Sequence, residues 1–273
     1  MLSIYDFLIK TEYKCEVHGC FKYQTLDTEP FCVECEEEYG EVLNDLDGYM
    51  KIMPPYNMDY FLRYDQFFRK SLFADVTIKE ASFSNFDITS EAEQKVYNVA
   101  VDRTARIMKG EKFNLIFTGN AGVGKSHLAM AMAKEINEQQ LPALKKKVLF
   151  ASVNDILSEI RHSFDDNRSK YDEYTMHQLL NEADVLVLDD LGSETGAINT
   201  NKKASDFTQR VLYNLLNARQ GKNTIITTNY SGTKLRQVYD QKLLSRMLFN
   251  AKGNIIPFNN ISDKRFEALS VLN

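Results

Sequence analysis

Five short apolar runs mark the later part of the chain, at 113–118 (FNLIFT), 148–153 (VLFASV), 185–189 (VLVLD), 223–228 (NTIITT) and 254–258 (NIIPF). Each is continuous rather than alternating, which predicts strands buried on both faces. The text between them is helical. After the first run, SHLAMAMAKEINEQQ places apolar residues at helical spacing. Strands alternating with helices predict an α/β domain, a parallel sheet with helices on both faces, over residues 81–273. Residues 1–55 form a separate head. In between, MPPYNMDYFLRYDQFFRKSLF has a Pro-Pro break and then an aromatic and basic stretch, read as a linker helix over 56–80 whose aromatic stripe serves packing or a partner contact.

Composition refines this picture. The chain has 273 residues, 44% hydrophobic and 26% charged, enough for a large core and a small second unit. No apolar run is long enough to span a membrane, and MLSIYDFLIKTEYK lacks the basic start of a signal peptide. A cytoplasmic protein is expected, in the host cytoplasm if phage-encoded. Charge is uneven. Residues 1–50 carry three lysines, no arginine and twelve acids, whereas the remainder carries 30 basic groups against 26 acidic ones. An acidic head on a mildly basic body suggests different partners for the two parts.

All four cysteines lie in the head, in CEVHGC and CVEC. Cys15 with His18, and Cys32 with Cys35, make two ligand knuckles of the kind that closes a tetrahedral Zn²⁺ site. Cys20 is the alternative to His18 as the fourth ligand. So small a head gains stability from a metal staple.

The candidate chemistry starts at GNAGVGKSH, residues 119–127, between the first strand run and the first helix. Gly119, Asn120, Ala121, Gly122, Val123 and Gly124, with Lys125, Ser126 and His127, match G-x-x-x-x-G-K-S. In such a loop backbone N–H groups cradle phosphates, the lysine neutralises the β and γ phosphates of ATP, and the serine ligates Mg²⁺. ADVLVLDDLG ends a strand with Asp189, expected on Mg²⁺, and Asp190, expected to orient or deprotonate the attacking water. Asn229, after NTIITT, is placed to bond the γ-phosphate or that water. Arg246 in KLLSRMLF is either a finger for a neighbour's nucleotide or a surface salt-bridge residue. Residues 161–180 interleave Phe164, Tyr171 and Tyr174 with Arg161, Arg168 and Lys170. That composition fits single-stranded DNA, and it equally fits an ordinary amphipathic surface.

The order of phosphate loop, VLVLDD, TIITTN and SRM resembles the AAA+ ATPases, and within them the DnaC, DnaI and IstB type. ASFSNFDI, FTGNAGVGKSHLA and the cysteine-rich head look like the phage-borne, DnaC-like branch of helicase loaders. The resemblance covers roughly residues 80–265. It implies that Lys125 and Ser126 are the Walker A pair, Asp189 and Asp190 the Walker B pair, Asn229 the first sensor and Arg246 an arginine finger acting in trans. It aligns Arg265 with the second sensor, although only residues 259–273 follow the last strand run, so the family's helical lid is absent or minimal. The implied function is ATP-dependent loading of a hexameric DnaB-type replicative helicase onto single-stranded DNA, by a homo-oligomer with slow, assembly-dependent ATPase activity. The alternatives are an IstB-like transposition helper and an ATP-binding adaptor that does not hydrolyse.

Overall fold

The computed structural model describes residues 9–14, 21–24, 67–138, 146–164, 169, 171–196 and 203–264. The chain divides into two compact units, Met1–Asp65 and Gln66–Asn273. In the first, β1 (Ile9–Lys14) and β2 (Phe21–Gln24) pair antiparallel, with Lys10 opposite Tyr23. The expected zinc ligands Cys15, His18, Cys20, Cys32 and Cys35 all lie outside the described residues.

The second unit is a parallel five-stranded sheet in the order β4–β5–β6–β3–β7. Its strands are β3 (Asn114–Thr118), β4 (Val148–Ser152), β5 (Val185–Leu191), β6 (Asn223–Thr228) and β7 (Ile255–Pro257). Seven helices stand among the described residues, α1 (Glu91–Met108), α2 (Lys125–Glu138), α3 (Val153–His162), α4 (Glu173–Glu182), α5 (Asp206–Ala218), α6 (Gly232–Val238) and α7 (Gln241–Met247). The apolar runs divide their side chains between two cores by strict alternation, because successive strand residues face opposite ways. Leu115, Phe117, Val185, Val187 and Ile225 join a core with α1 and α2. Ile116, Leu186, Leu188 and Ile226 join a second with α3, α4, α5, α6 and α7. Burial on both faces is why these strands read as unbroken apolar text.

The sequence around residue 70 belongs to this body. Phe67 is buried in the first core, and Leu72 pairs with Ala151 in a parallel bridge. A short helical turn at 67–70 and a 3₁₀ helix, Val76–Glu80, are what the described part of the expected linker contains.

Helix starts follow side-chain chemistry. Ser90, Ser152, Asp172, Ser205, Ser231 and Asp240 each accept a backbone N–H at the start of α1, α3, α4, α5, α6 and α7. The residue before α2 is Gly124, which has no side chain to offer, so the first-turn N–H groups of α2 are left for a ligand.

Candidate nucleotide site

The phosphate loop leaves the C-terminal end of β3, where open α/β sheets bind their ligands. Gly122 and Gly124 hold φ of 72° and 91°, in the left-handed region that favours glycine. A Cβ on Gly124 would meet the Phe86 ring at 2.7 Å, and one on Gly122 would lie 1.7 Å from the Asp263 carboxylate. Lys125 is buried, and its ammonium donates to Gly119 O at 2.8 Å, to Asn120 O, and to Asn229 Oδ1 at 2.7 Å.

Strand order explains the third of these bonds. β6 lies between β3 and β5, so the residue after β6 stands between the phosphate loop and the carboxylates. Asn229 fills that place, accepting from Lys125 through Oδ1 and donating through Nδ2 to Asp190 Oδ1 at 2.8 Å.

The two carboxylates are separated by a bulge. Leu188 pairs with Ile226 and Leu191 with Thr228, so three steps on β5 match two on β6. Asp190 occupies the bulge with φ of 57°. Thr227 fits into it, accepting from the Asp190 N–H at 2.8 Å and donating to Asp189 Oδ1 at 2.7 Å. Bulges re-aim side chains, and this one turns Asp190 towards Asn229. Burial pushes the Asp189 carboxyl up from its ordinary range, while hydrogen bonds from Thr227 and Ser126 pull against that shift. A half-buried carboxylate beside a serine hydroxyl at the loop is an all-oxygen donor set suited to Mg²⁺, which takes few protein ligands and completes its shell with phosphate and water.

The family model described as IstB-like ATP binding protein matches residues 62–260. The chain belongs to this family. It is 26% identical over 183 residues to the uncharacterized protein YdaV of Escherichia coli K12, covering 66% of each chain. It is 32% identical over 113 residues to the replicative helicase loader DnaC of Buchnera aphidicola subsp. Baizongia pistaciae, covering 41% of this chain and 43% of that one. The chain thus matches two-thirds or less of these relatives' lengths. A crystal structure of the DnaC helicase loader superposes with a TM-score of 0.50 at 24% identity, covering 69% of this chain and all of that one. The fold is that of the AAA+ ATPases, and the family binds ATP.

Within this IstB-like domain the remaining expected residues fall into distinct places. The half-buried His127 bonds the Ser82 carbonyl at 2.9 Å and meets Phe86 edge-to-face, and burial lowers its imidazole pKa. Arg246 stands apart from the other site residues. Its backbone carbonyl accepts from Asn114 at the start of β3, and its guanidinium lies 5.9 Å from the Tyr213 ring centre. Arg265 lies outside the described residues, as do Arg168 and Lys170. Tyr171 is partly buried against the second core, whereas Phe164 and Tyr174 are 61% and 69% exposed.

Several residues in contact with the expected ones went unrecognised in the sequence. Thr227, two positions before Asn229 and therefore on the same face of the strand direction, was signalled only by that spacing. Phe207 and Arg210, on α5, join Phe164 and Arg161. Phe207 meets Phe164 edge-to-face at 5.8 Å, and the Arg161 and Arg210 guanidinium carbons lie 5.1 and 5.7 Å from its ring centre. Among the described residues no group of His, Cys, Asp and Glu gathers to hold a metal, and no helix is long and apolar enough to cross a membrane.

Proposed function

We propose that this protein is an ATP-dependent loader of a ring-shaped, DnaB-type replicative helicase onto single-stranded DNA. The observation that carries the ATPase part is the link from Lys125 through Asn229 to Asp190, which joins the phosphate loop to a carboxylate in one hydrogen-bonded path. A chain that only held nucleotide would need no such path. In this reading Lys125 turns from the loop carbonyls to the β and γ phosphates. Ser126 and Asp189 would hold Mg²⁺, which would supply charge neutralisation for the phosphates. Asp190, aimed by the bulge and bonded to Asn229, orients the attacking water and takes up its proton.

Similarity to DnaC supports the helicase as partner. The exposed Phe164 ring, beside the half-buried Phe207 with Arg161 and the Glu173-paired Arg210 against it, supports single-stranded DNA, because an exposed ring stacks on bases and guanidinium groups track phosphates. One Zn²⁺ per chain, on Cys15, His18 or Cys20, Cys32 and Cys35, is part of the proposal and rests on the spacing of the knuckles. The assembly of several copies is also part of the proposal and is supported by the place of Arg246, apart from the other site residues. The match to the IstB-like family model leaves room for a second reading, a transposition helper acting with a transposase.

A loading assay separates these readings. The full chain, the replicative helicase of its source and circular single-stranded DNA are mixed with ATP, and helicase recovered on the DNA circles is measured. Deposition above the helicase-alone level, lost in Lys125→Ala, is the expected result. Equal deposition with and without the protein would overturn the loader reading in favour of the transposition helper.

A further inference from the structure

Asp190 is held in an unfavourable backbone conformation, and several of the residues that hold it lie beyond the recognised motifs. A non-glycine residue at φ of 57° persists only where its surroundings fix it. On the β6 side, Thr227 takes the Asp190 N–H and Thr228 donates to Leu191 O at 2.6 Å. On the other side is the turn 192–195. Gly192, at φ of 111°, donates its N–H to Glu194 Oε2 at 2.9 Å, and Ser193 Oγ donates to Asp190 O at 2.7 Å. The other Glu194 oxygen accepts from the hydroxyl of Tyr239, the residue that ends α6 and whose backbone N–H donates to Leu235 O. Thr195 Oγ1 and the Tyr230 hydroxyl share a further bond at 2.7 Å. A pocket of about 390 Å³ opens beside this turn, lined by Asp190, Gly192, Ser193, Asn229 and Tyr230.

We infer that Glu194 and Tyr239 are positioning residues for Asp190. Glu194 clamps the turn that follows the bulge, and Tyr239 fixes Glu194 to the helix that follows Asn229. The two residues that face the attacking water, Asp190 and Asn229, are thereby held in one register. Both Glu194 oxygens are engaged inside the protein, one by the Gly192 N–H and the other by the Tyr239 hydroxyl. Burial raises its pKa while the Tyr239, Glu194 and Gly192 hydrogen bonds lower it. This inference rests on the reading of Asp190 as the water-orienting carboxylate.

The test is steady-state ATP hydrolysis by the full chain with helicase and single-stranded DNA present, alongside equilibrium binding of a fluorescent ATP analogue. Tyr239→Phe removes one oxygen and keeps the ring that packs in the core. It should lower kcat roughly tenfold or more, since small misplacements far from the reacting atoms have effects of that order. Analogue affinity should stay within about twofold of wild type, as binding does not use Asp190. Glu194→Ala should behave alike, and Glu194→Gln, which can still accept from Gly192 and bond Tyr239, should recover most of the rate. The inference is overturned if Tyr239→Phe turns over at the wild-type rate, or if kcat and affinity fall together and Glu194→Gln recovers neither. If wild type itself shows no hydrolysis, the ATPase reading fails and takes the inference with it. A normal wild-type rate with an unaffected Tyr239→Phe sinks the inference alone.

Discussion

Lys125 has three ammonium protons and three acceptors in the protein itself, two loop carbonyls and the Asn229 side chain. A nucleotide must therefore exchange places with good partners, and the ammonium contributes the difference between phosphate oxygens and neutral carbonyls. Charge-assisted hydrogen bonds are worth about 1.5–3 kcal/mol, so Lys125→Ala should weaken ATP binding roughly tenfold to a hundredfold. Titration with a fluorescent ATP analogue checks this, and an unchanged affinity would contradict the assignment of the loop. The gathering of Lys125, Ser126, Asp189, Asp190 and Asn229 in one place was legible because each stands at or after the C-terminal end of an apolar run. Thr227, Glu194 and Tyr239 were not, because their roles depend on the bulge between Leu188 and Leu191. A bulge is a matter of register between two strands, and no pattern within one strand reports it.

At the scale of elements, hydrophobic runs placed every strand of the large sheet to within a residue or two, since burial on both faces leaves little freedom. β5 is the exception in length. It was expected to end at residue 189 and continues to Leu191, because the bulge lets pairing resume beyond the carboxylates. What the runs could not show is strand order, which depends on where crossover helices go, and it is this order that sets Asn229 between Lys125 and Asp190. Helix α1 shows a local device legible in principle, the capping box from Ser90 to Glu93. Burial raises the Glu93 carboxyl, but Thr89 N–H and hydroxyl, Lys264 and Ser90 outweigh it and bring the pKa to about 2 from 4.5. A depressed carboxylate stabilises the fold above its unfolded pKa. That contribution is lost as pH falls from about 4.5 towards 2. Discounted for solvent screening it is about 2 kcal/mol. In denaturant titrations Glu93→Gln should be less stable than wild type at pH 7, with the gap closing through this window. A gap of constant size between pH 7 and pH 2.5 would show that the carboxylate charge contributes nothing there.

At the scale of the whole molecule the open question is whether one chain holds a complete site. Asn114, at the first residue of β3, donates to the carbonyls of Arg246 and Met247 at 3.2 and 3.1 Å. The phosphate loop leaves the other end of that strand, after Thr118. At roughly 3.3 Å per residue, the strand puts α7 and the loop at opposite ends of the sheet, on the order of 13 Å apart along its direction. The Arg246 side chain lies near Tyr213, and its Nε is buried with no hydrogen-bond partner among the described residues. An arginine so placed does not serve its own loop, and the salt-bridge reading finds no carboxylate paired with it among the described residues. It fits a group supplied to a neighbouring copy, where stabilising transition-state charge is worth on the order of a thousandfold. Arg246→Ala should bind ATP nearly as wild type and hydrolyse it poorly under assembling conditions, with DNA and helicase present. Mixed with Lys125→Ala it should regain activity, because some interfaces then pair an intact phosphate loop with an intact arginine. Mixing it instead with the double variant Lys125→Ala/Arg246→Ala should restore nothing, since no subunit then carries the arginine. Wild-type hydrolysis by Arg246→Ala alone would show that the arginine serves only its packing against Tyr213.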